Sequence, residues 1–550
     1  MDENRVCVNC RQEFKVESID KEFYAKFDLP ESDQCPYCRW EYLGAFWIFG
    51  RFRITNSALS GKRIITVLPE SVPFPIYDRE EFVSDAWDPM KYGADYNPEK
   101  SFIDQIVELQ AKVPHPHQVG LKNTNCDWTD DVWESKNSYL TRGAVGLEDI
   151  IYGYRLLQCK NSIDLTYCFH LDQSYDCLYC FNGFKLRHCF NARDCIESAF
   201  LYDCRNCQNC FMSWNLRNKQ YHILNQPYSK EEYFEKLKSF KLNSYVEIEK
   251  LKKDFWEHVK NDAVHRAHFN IQVANSTGNF MTESKNCHSC CFWENSENCR
   301  YGFRGYKNKD SIDTMGCMSE NTARACMDQW GYGNFCTLYA SSCRYSAYLD
   351  YCEESEYCFG CIGLRKKKYC ILNKQYSKEE YESLISKIKN DMKQRGEWGK
   401  FFPLSAAYAG YNYSLAQIMF PKIKENAIAF GAKWEEPKTI DHVGIKAEDM
   451  PDTIDDIEDE ITKQRIICPE TKLSYNIAPA ELRFYREHKL PLPRTHFDWR
   501  TLNRFRPMTL MFKPYPSSCH YCHKNIEQYY APELGFKKVA CIDCYQKEIA

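Results

Sequence analysis

Charge of either sign is not in excess in this 550-residue chain: 72 Lys and Arg stand against 76 Asp and Glu, a formal −4 with a pI of about 6.4. A dedicated nucleic-acid binder carries a basic excess over its domain, so the balance argues against that class while leaving room for a local patch. Long apolar runs are also missing. No stretch reaches the roughly 18 residues of a membrane span, and the most apolar segment, Tyr42 to Ile54, is broken by Arg51 and Arg53. The opening Met-Asp-Glu-Asn-Arg lacks the charged-then-apolar pattern of a secretory leader. A cytoplasmic location is therefore expected, where thiols stay reduced. No phosphate loop, nucleophile elbow or zinc-protease helix occurs, so no catalytic or cofactor-binding residue is assigned.

Cysteine is abundant, with 31 residues, and aromatics make up 15% of the chain. In a reducing compartment the thiols are metal ligands or packed interior groups. Eight of them form two four-cysteine patterns. Cys7, Cys10, Cys35 and Cys38 are spaced C-x2-C-x24-C-x2-C, and Cys519, Cys522, Cys541 and Cys544 are spaced C-x2-C-x18-C-x2-C. Two CxxC knuckles place four thiolates tetrahedrally around one Zn²⁺, so two zinc ions per chain are expected. Cys35-Pro-Tyr-Cys38 also matches a glutaredoxin-type motif, but a partner CxxC lies upstream and a polar run precedes it.

The chain is duplicated. Residues 7–40 align with 468–501 at an offset of 461 without a gap: Phe23-Tyr24 falls on Phe484-Tyr485 and Leu29-Pro30 on Leu490-Pro491. In that second copy the ligands are eroded, with Thr471, His496 and Trp499 opposite Cys10, Cys35 and Cys38. A weaker alignment sets Cys519, Cys522, Cys541 and Cys544 near Ala58, Gly61, Asp78 and Glu81. Each end thus reads as a pair of ribbons with one intact site. A second duplication, at an offset of 148, matches Tyr228-Ser-Lys-Glu-Glu-Tyr233 to Tyr376-Ser-Lys-Glu-Glu-Tyr381. Ser229/Glu232 and Ser377/Glu380 are capping boxes that open helices over about 230–260 and 378–394. Ser101 and Asp104 cap a helix in 84–114, and acidic Pro451 to Glu460 reads as a solvated connector.

Between these segments the cysteines recur every nine residues, as in Cys159, Cys168 and Cys177, then, with Leu186 on the next beat, Cys195 and Cys204, or as in Cys343, Cys352, Cys361 and Cys370. Nine steps of a helix leave a side chain half a turn away, so a helix does not favour this spacing. Two nines suggest an 18-residue rung of a flattened parallel β-solenoid, with capped helices over its open edges. Its cysteines are read as buried free thiols. Cys204-x2-Cys207-x2-Cys210 resembles part of an iron–sulfur run but lacks a fourth ligand nearby. His258, His265 and His268 are read as surface residues before metal ligands, and Lys366-Lys367-Lys368 as a solvated edge.

The expected fold class is mixed and multidomain, with terminal zinc ribbons flanking two cysteine-rich parallel β-solenoid segments, each followed by a capping helix. The divisions are 1–52 (ribbon, intact site), 53–83 (degenerate ribbon), 84–124 (linker and helix), 125–226 (first solenoid segment) and 227–283 (helical connector). They continue with 284–375 (second solenoid segment), 376–465 (helical region and acidic connector), 466–512 (degenerate ribbon) and 513–550 (ribbon, intact site).

Cys7-Val-Asn-Cys10 with Glu22-Phe-Tyr24, Trp87-Asp-Pro89, the Tyr-Ser-Lys-Glu-Glu-Tyr repeats, and Phe484-Tyr485 with Leu490-Pro-Leu-Pro493 carry a resemblance. Together, across nearly the whole chain, they resemble uncharacterised cysteine-rich zinc-ribbon proteins of small uncultured bacteria. The resemblance implies the same layout of ribbons around cysteine arrays and no particular activity. The functional expectation is a non-catalytic zinc-binding scaffold or adaptor for a protein or large assembly. RNA or ribosome association is the alternative, with a thiol-dependent redox enzyme third.

Overall fold

The computed structural model describes residues 2–436 and 443–549. The chain forms two compact units, each built from discontinuous stretches: Met1–Gln118 with His268–Glu436, and Val119–Ala267 with Pro437–Ala550. Both are mixed α/β, and each contains an array of parallel strands, a pair of small antiparallel hairpins and flanking helices. Among the described residues no helix is long and apolar enough to cross a membrane.

The arrays do not keep the 18-residue rung. Their strands pair in parallel at twelve: Lys136 and Lys160 both flank Glu148 in register, Ile163 pairs with Tyr175, and Cys358 with Cys370. The underlying period is three. A left-handed residue falls at Asp176, Tyr179, Asn182, Lys185 and His188, and the residue after each faces the core: Cys177, Cys180, Gly183, Leu186 and Cys189. Four such triplets make one twelve-residue repeat. Nine is three triplets, and the spacing has its own bond. The Cys159 thiol donates to the Cys168 carbonyl (3.2 Å), Cys343 to Cys352 (3.3 Å) and Cys352 to Cys361 (3.3 Å). In the first unit the repeat shortens to eleven where Ile312 pairs with Ala323.

Left-handed backbone is unfavourable for residues with a Cβ, least so for Asn and Asp. The arrays compensate with side-chain ladders along that edge: the Asn125 amide donates to Asn137 (2.9 Å), and Asn137 to Asp149 (3.0 Å). The interior is packed to shape. Trp293 is fully buried because Gly302 and Gly305 lie over its ring, where a Cβ would come within 2.4 and 2.2 Å of ring carbons. All cysteine thiols are free of disulfides. Burial pushes Cys159 and Cys343 up to about 12, as expected for thiolates in an apolar interior.

Both capping boxes form, with Ser229 and Ser377 accepting from Glu232 and Glu380 N–H at 3.2 Å. The second helix runs Lys378–Gln394, whereas the first breaks into Lys230–Leu237 and Tyr245–Asn261. Each helix lays a tyrosine on the end of its array: Tyr233 against Tyr221 at 5.8 Å, and Tyr381 against Tyr369 at 5.6 Å. The 102–110 helix is capped by Ser101 (3.1 Å from Asp104 N). The acidic stretch 451–460 is not a solvated connector. Ile454, Ile457 and, just beyond it, Ile461 are buried in the core with Leu482 and Tyr485. Asp455, Asp456, Glu458, Asp459 and Glu460 face out, and Asp455 pairs with Lys489.

Candidate metal centres

Each intact cluster is assembled by a hairpin and a helix. In the first unit, strand Glu3–Val6 pairs antiparallel with Glu13–Val16. The intervening knuckle is closed by Cys7 N–H to Gln12 C=O (2.9 Å) and Arg11 N–H to Cys7 C=O (3.0 Å), with Arg11 left-handed. Cys35 then caps the helix Pro36–Gly44, which brings Cys38 round one turn. In the second unit Cys519 repeats the pattern with Lys524 and left-handed His523, and Cys541 precedes the helix Ile542–Ile549.

The four sulfurs of each cluster lie within 4.8 Å of one another, which brings all eight sequence-assigned ligand residues together. The Cys10 and Cys35 sulfurs are 3.7 Å apart, and those of Cys522 and Cys541 are 3.8 Å apart. A tetrahedron with Zn–S of about 2.3 Å has an edge of about 3.8 Å, so the donor set fits a single tetrahedral ion. Backbone N–H groups of Cys35 and Cys541 donate to the Cys7 and Cys519 sulfurs, both at 3.3 Å. Such donors stabilise thiolates. The Cys38 thiol holds Cys35 down to about 5, while the same pairing pushes Cys38 up. At Cys519 desolvation is outweighed by N–H donation from Cys522 and Cys541, and the thiol falls to about 6.

The same knuckle bonds recur at the two other hairpins and locate the eroded ligands. Ser57 N–H donates to Lys62 C=O (2.8 Å), Gly61 is left-handed, and Asp78 N–H donates to the Ser57 oxygen (3.2 Å). The ligand positions are therefore Ser57, Ser60, Asp78 and Glu81; the first two lie one residue before the sequence-level Ala58 and Gly61. Here Ser57 bonds Glu81, and the Lys62 ammonium sits 3.1 Å from Asp78, supplying a cation. At the fourth hairpin Cys468 accepts from Thr471 N–H (3.4 Å), while His496 spends Nδ1 on Asp498 N–H (3.2 Å). Among the described residues neither place groups three metal donors.

Sequence reasoning missed what anchors these modules. In the first unit, Arg39 pairs with Asp313, Tyr24 donates to Asp313, and Tyr301 donates to Asp20 (2.8 Å); all are buried. In the second, Arg500 pairs with Asp164 (2.8 Å) and Tyr152 donates to Glu481 (2.9 Å). Arg500, Tyr485 and Glu481 lie at the 461 offset from Arg39, Tyr24 and Asp20. The signal was in that alignment, but the partners sit in the array and pair by a different offset, 149.

The one lock with an altered charge gives a pH prediction. Burial pushes Glu481 up to about 7, against the pull of Arg500. An unfolded glutamate titrates near about 4.3. Between those values the folded carboxyl keeps a proton the unfolded chain has lost, so this residue makes stability fall as pH rises, by at most about 1.4 kcal/mol per pH unit. Glu481→Gln should therefore gain thermal stability relative to the parent between pH 5 and pH 8. A difference in melting temperature that stays flat over that range would show the carboxyl to be ionised throughout.

The other candidates resolve as structure. His265 accepts from Tyr202 (2.7 Å) and donates to Val259 C=O (2.9 Å), and burial lowers it to about 3. It is a core residue, not a surface one, while His258 pairs with Asp262. Lys366 and Lys368 pair with Glu354 and Glu356 on the preceding repeat. Cys204, Cys207 and Cys210 are buried in the array core.

No family model matches this chain, and no curated protein does. A solved structure assigned as an acetyltransferase, from Desulfovibrio desulfuricans G20, is similar at 9% identity, covering 48% of this chain and 69% of that one. Its TM-score of 0.11 carries no argument about fold or activity.

Proposed function

We propose that the chain is a non-catalytic, zinc-binding scaffold whose partner is a protein or a large assembly. Two zinc ions close the terminal ribbons, and the twelve-residue arrays are short β-solenoid segments that present flat, repeated surfaces. The observation that carries this reading is an aromatic ladder on the first unit's array. Tyr345, Tyr357 and Tyr369 recur every twelve residues with rings stacked at 5.2 and 5.4 Å, and Tyr332 meets Tyr345 at 5.5 Å. Tyr345 is 49% exposed and Tyr332 37%. Pre-stacked rings lose little side-chain entropy on binding, and tyrosine is enriched among the residues that carry interface energy.

Stacked tyrosines also suit single-stranded RNA. The neighbouring lysines are already neutralised by Glu354 and Glu356, which favours protein. The test is affinity purification from the native host with nuclease treatment, using the parent and a Tyr345→Ser/Tyr357→Ser variant. The parent should retain a stoichiometric, nuclease-resistant protein that the variant loses at unchanged melting temperature. Nuclease-sensitive recovery of RNA would reject the protein reading.

A further inference from the structure

The duplication has also duplicated a cavity. In the first unit a space of about 890 Å³ is lined by the loop 28–34, by Arg39 and Leu43 of the ribbon helix, by Arg324 of the array and by Trp398. In the second, a space of about 620 Å³ is lined by the equivalent loop 491–495, by Arg500 and Arg504, by Asp176 of the array and by the 245–261 helix. Positions related by offsets of 461 and 148 thus build the same recess twice. Both volumes fall in the range of roughly 300–1,000 Å³ typical of small-molecule sites.

The two recesses differ in charge. The first is lined by four cationic side chains and five carboxylates. The second has six cationic side chains against four carboxylates, or five with Asp164, which pairs with Arg500 and Arg504. Its wall also carries two indoles: Trp256 at 6.0 Å from Phe190, and Trp499, which is 38% exposed. Two lining residues hold buried nitrogens without a hydrogen-bond partner, Nε2 of His188 and Nη2 of Arg500. Their other nitrogens are fixed, since His188 Nδ1 bonds Asp176 at 2.8 Å and Arg500 Nε bonds Asp164 at 2.8 Å. Arg500 Nη2 is thus an orphaned buried donor, which is costly; His188, whose Nδ1–H goes to Asp176, turns an unpartnered acceptor nitrogen, and both side chains are held in place by their carboxylates.

We propose that the second unit's cavity binds a small anion bearing an aromatic ring, with the chemistry of a nucleoside monophosphate. The phosphate meets the arginine-rich floor, where planar guanidinium groups suit its oxygens, and the base lies against the indoles. The first unit's cavity, with its carboxylate excess, takes none, so one ligand binds per chain.

Calorimetric titration of the full chain with adenosine 5′-monophosphate, inorganic phosphate and adenosine tests this. The monophosphate should bind at one per chain and at least tenfold tighter than either fragment. Trp499 and Arg506 are exposed lining residues, so Trp499→Ala and Arg506→Ala should each weaken binding about tenfold without moving the melting temperature. Absence of binding at millimolar ligand, equal affinity for phosphate alone, or binding untouched by both substitutions would each overturn the assignment.

Discussion

Cys541→Ser is expected to remove one zinc ion and unfold the C-terminal ribbon while leaving the second unit's array folded. Metal binding supplies about 10 kcal/mol or more of folding free energy to such a module at neutral pH, whereas a repeat array depends on its own neighbours. The damage should extend to one further place. Strand Lys538–Ala540 pairs in parallel with Val264–Arg266, and Tyr545 bonds Arg217 at 2.7 Å. Limited proteolysis should therefore cut within 515–549, and hydrogen exchange should accelerate at 264–266, with Lys136–Asp172 still protected. Loss of protection throughout the second unit would show that the ribbon braces the array.

Asp313→Asn should be the most damaging substitution away from the metal. It leaves the Arg39 guanidinium buried without its counter-ion, and breaking a buried pair from one side costs about 3–5 kcal/mol. The duplicated lock provides an internal control. Hydrogen exchange should rise about a hundredfold or more in the helix Ser18–Lys26, and stay unchanged in its counterpart Pro479–Glu487. Asp164→Asn should reverse the pattern. Equal acceleration in both helices after either change would mean that the locks do not hold their own modules independently.

The two clusters were legible because a ligand set is local: two CxxC pairs declare themselves within about thirty residues of sequence. The capping boxes at Ser229 and Ser377 were legible for the same reason. The array period was not. Cysteine occupies only some core-facing positions, with Ser, Leu, Ala and Gly at the others, so counting thiols picks out nine and its double, eighteen. The true beat of three is written in the left-handed residues, which are only partly Asn and Asp and include His188, Phe200 and Met212. The acidic connector was misread because Ile454, Ile457 and Ile461 are spaced among carboxylates that dominate composition but not packing. The eroded second hairpin was placed one residue late at its first two positions because the alignment there needs gaps, whereas the left-handed Gly61 fixes the knuckle at Ser57. The locks joining ribbon to array pair residues about 280–340 positions apart, a separation no local pattern spans.

The most direct test of the scaffold reading is the zinc content of metal-replete protein, measured by elemental analysis. Two zinc ions per chain are predicted, falling to one in Cys35→Ser and in Cys541→Ser separately. The Lys62–Asp78 pair and the engaged His496 are expected to keep the other two hairpins from adding to that count. No zinc, or a content of two unchanged by both substitutions, would contradict the assignment of these eight cysteines. Four zinc ions would show that Asp78, Glu81 and His496 still ligate.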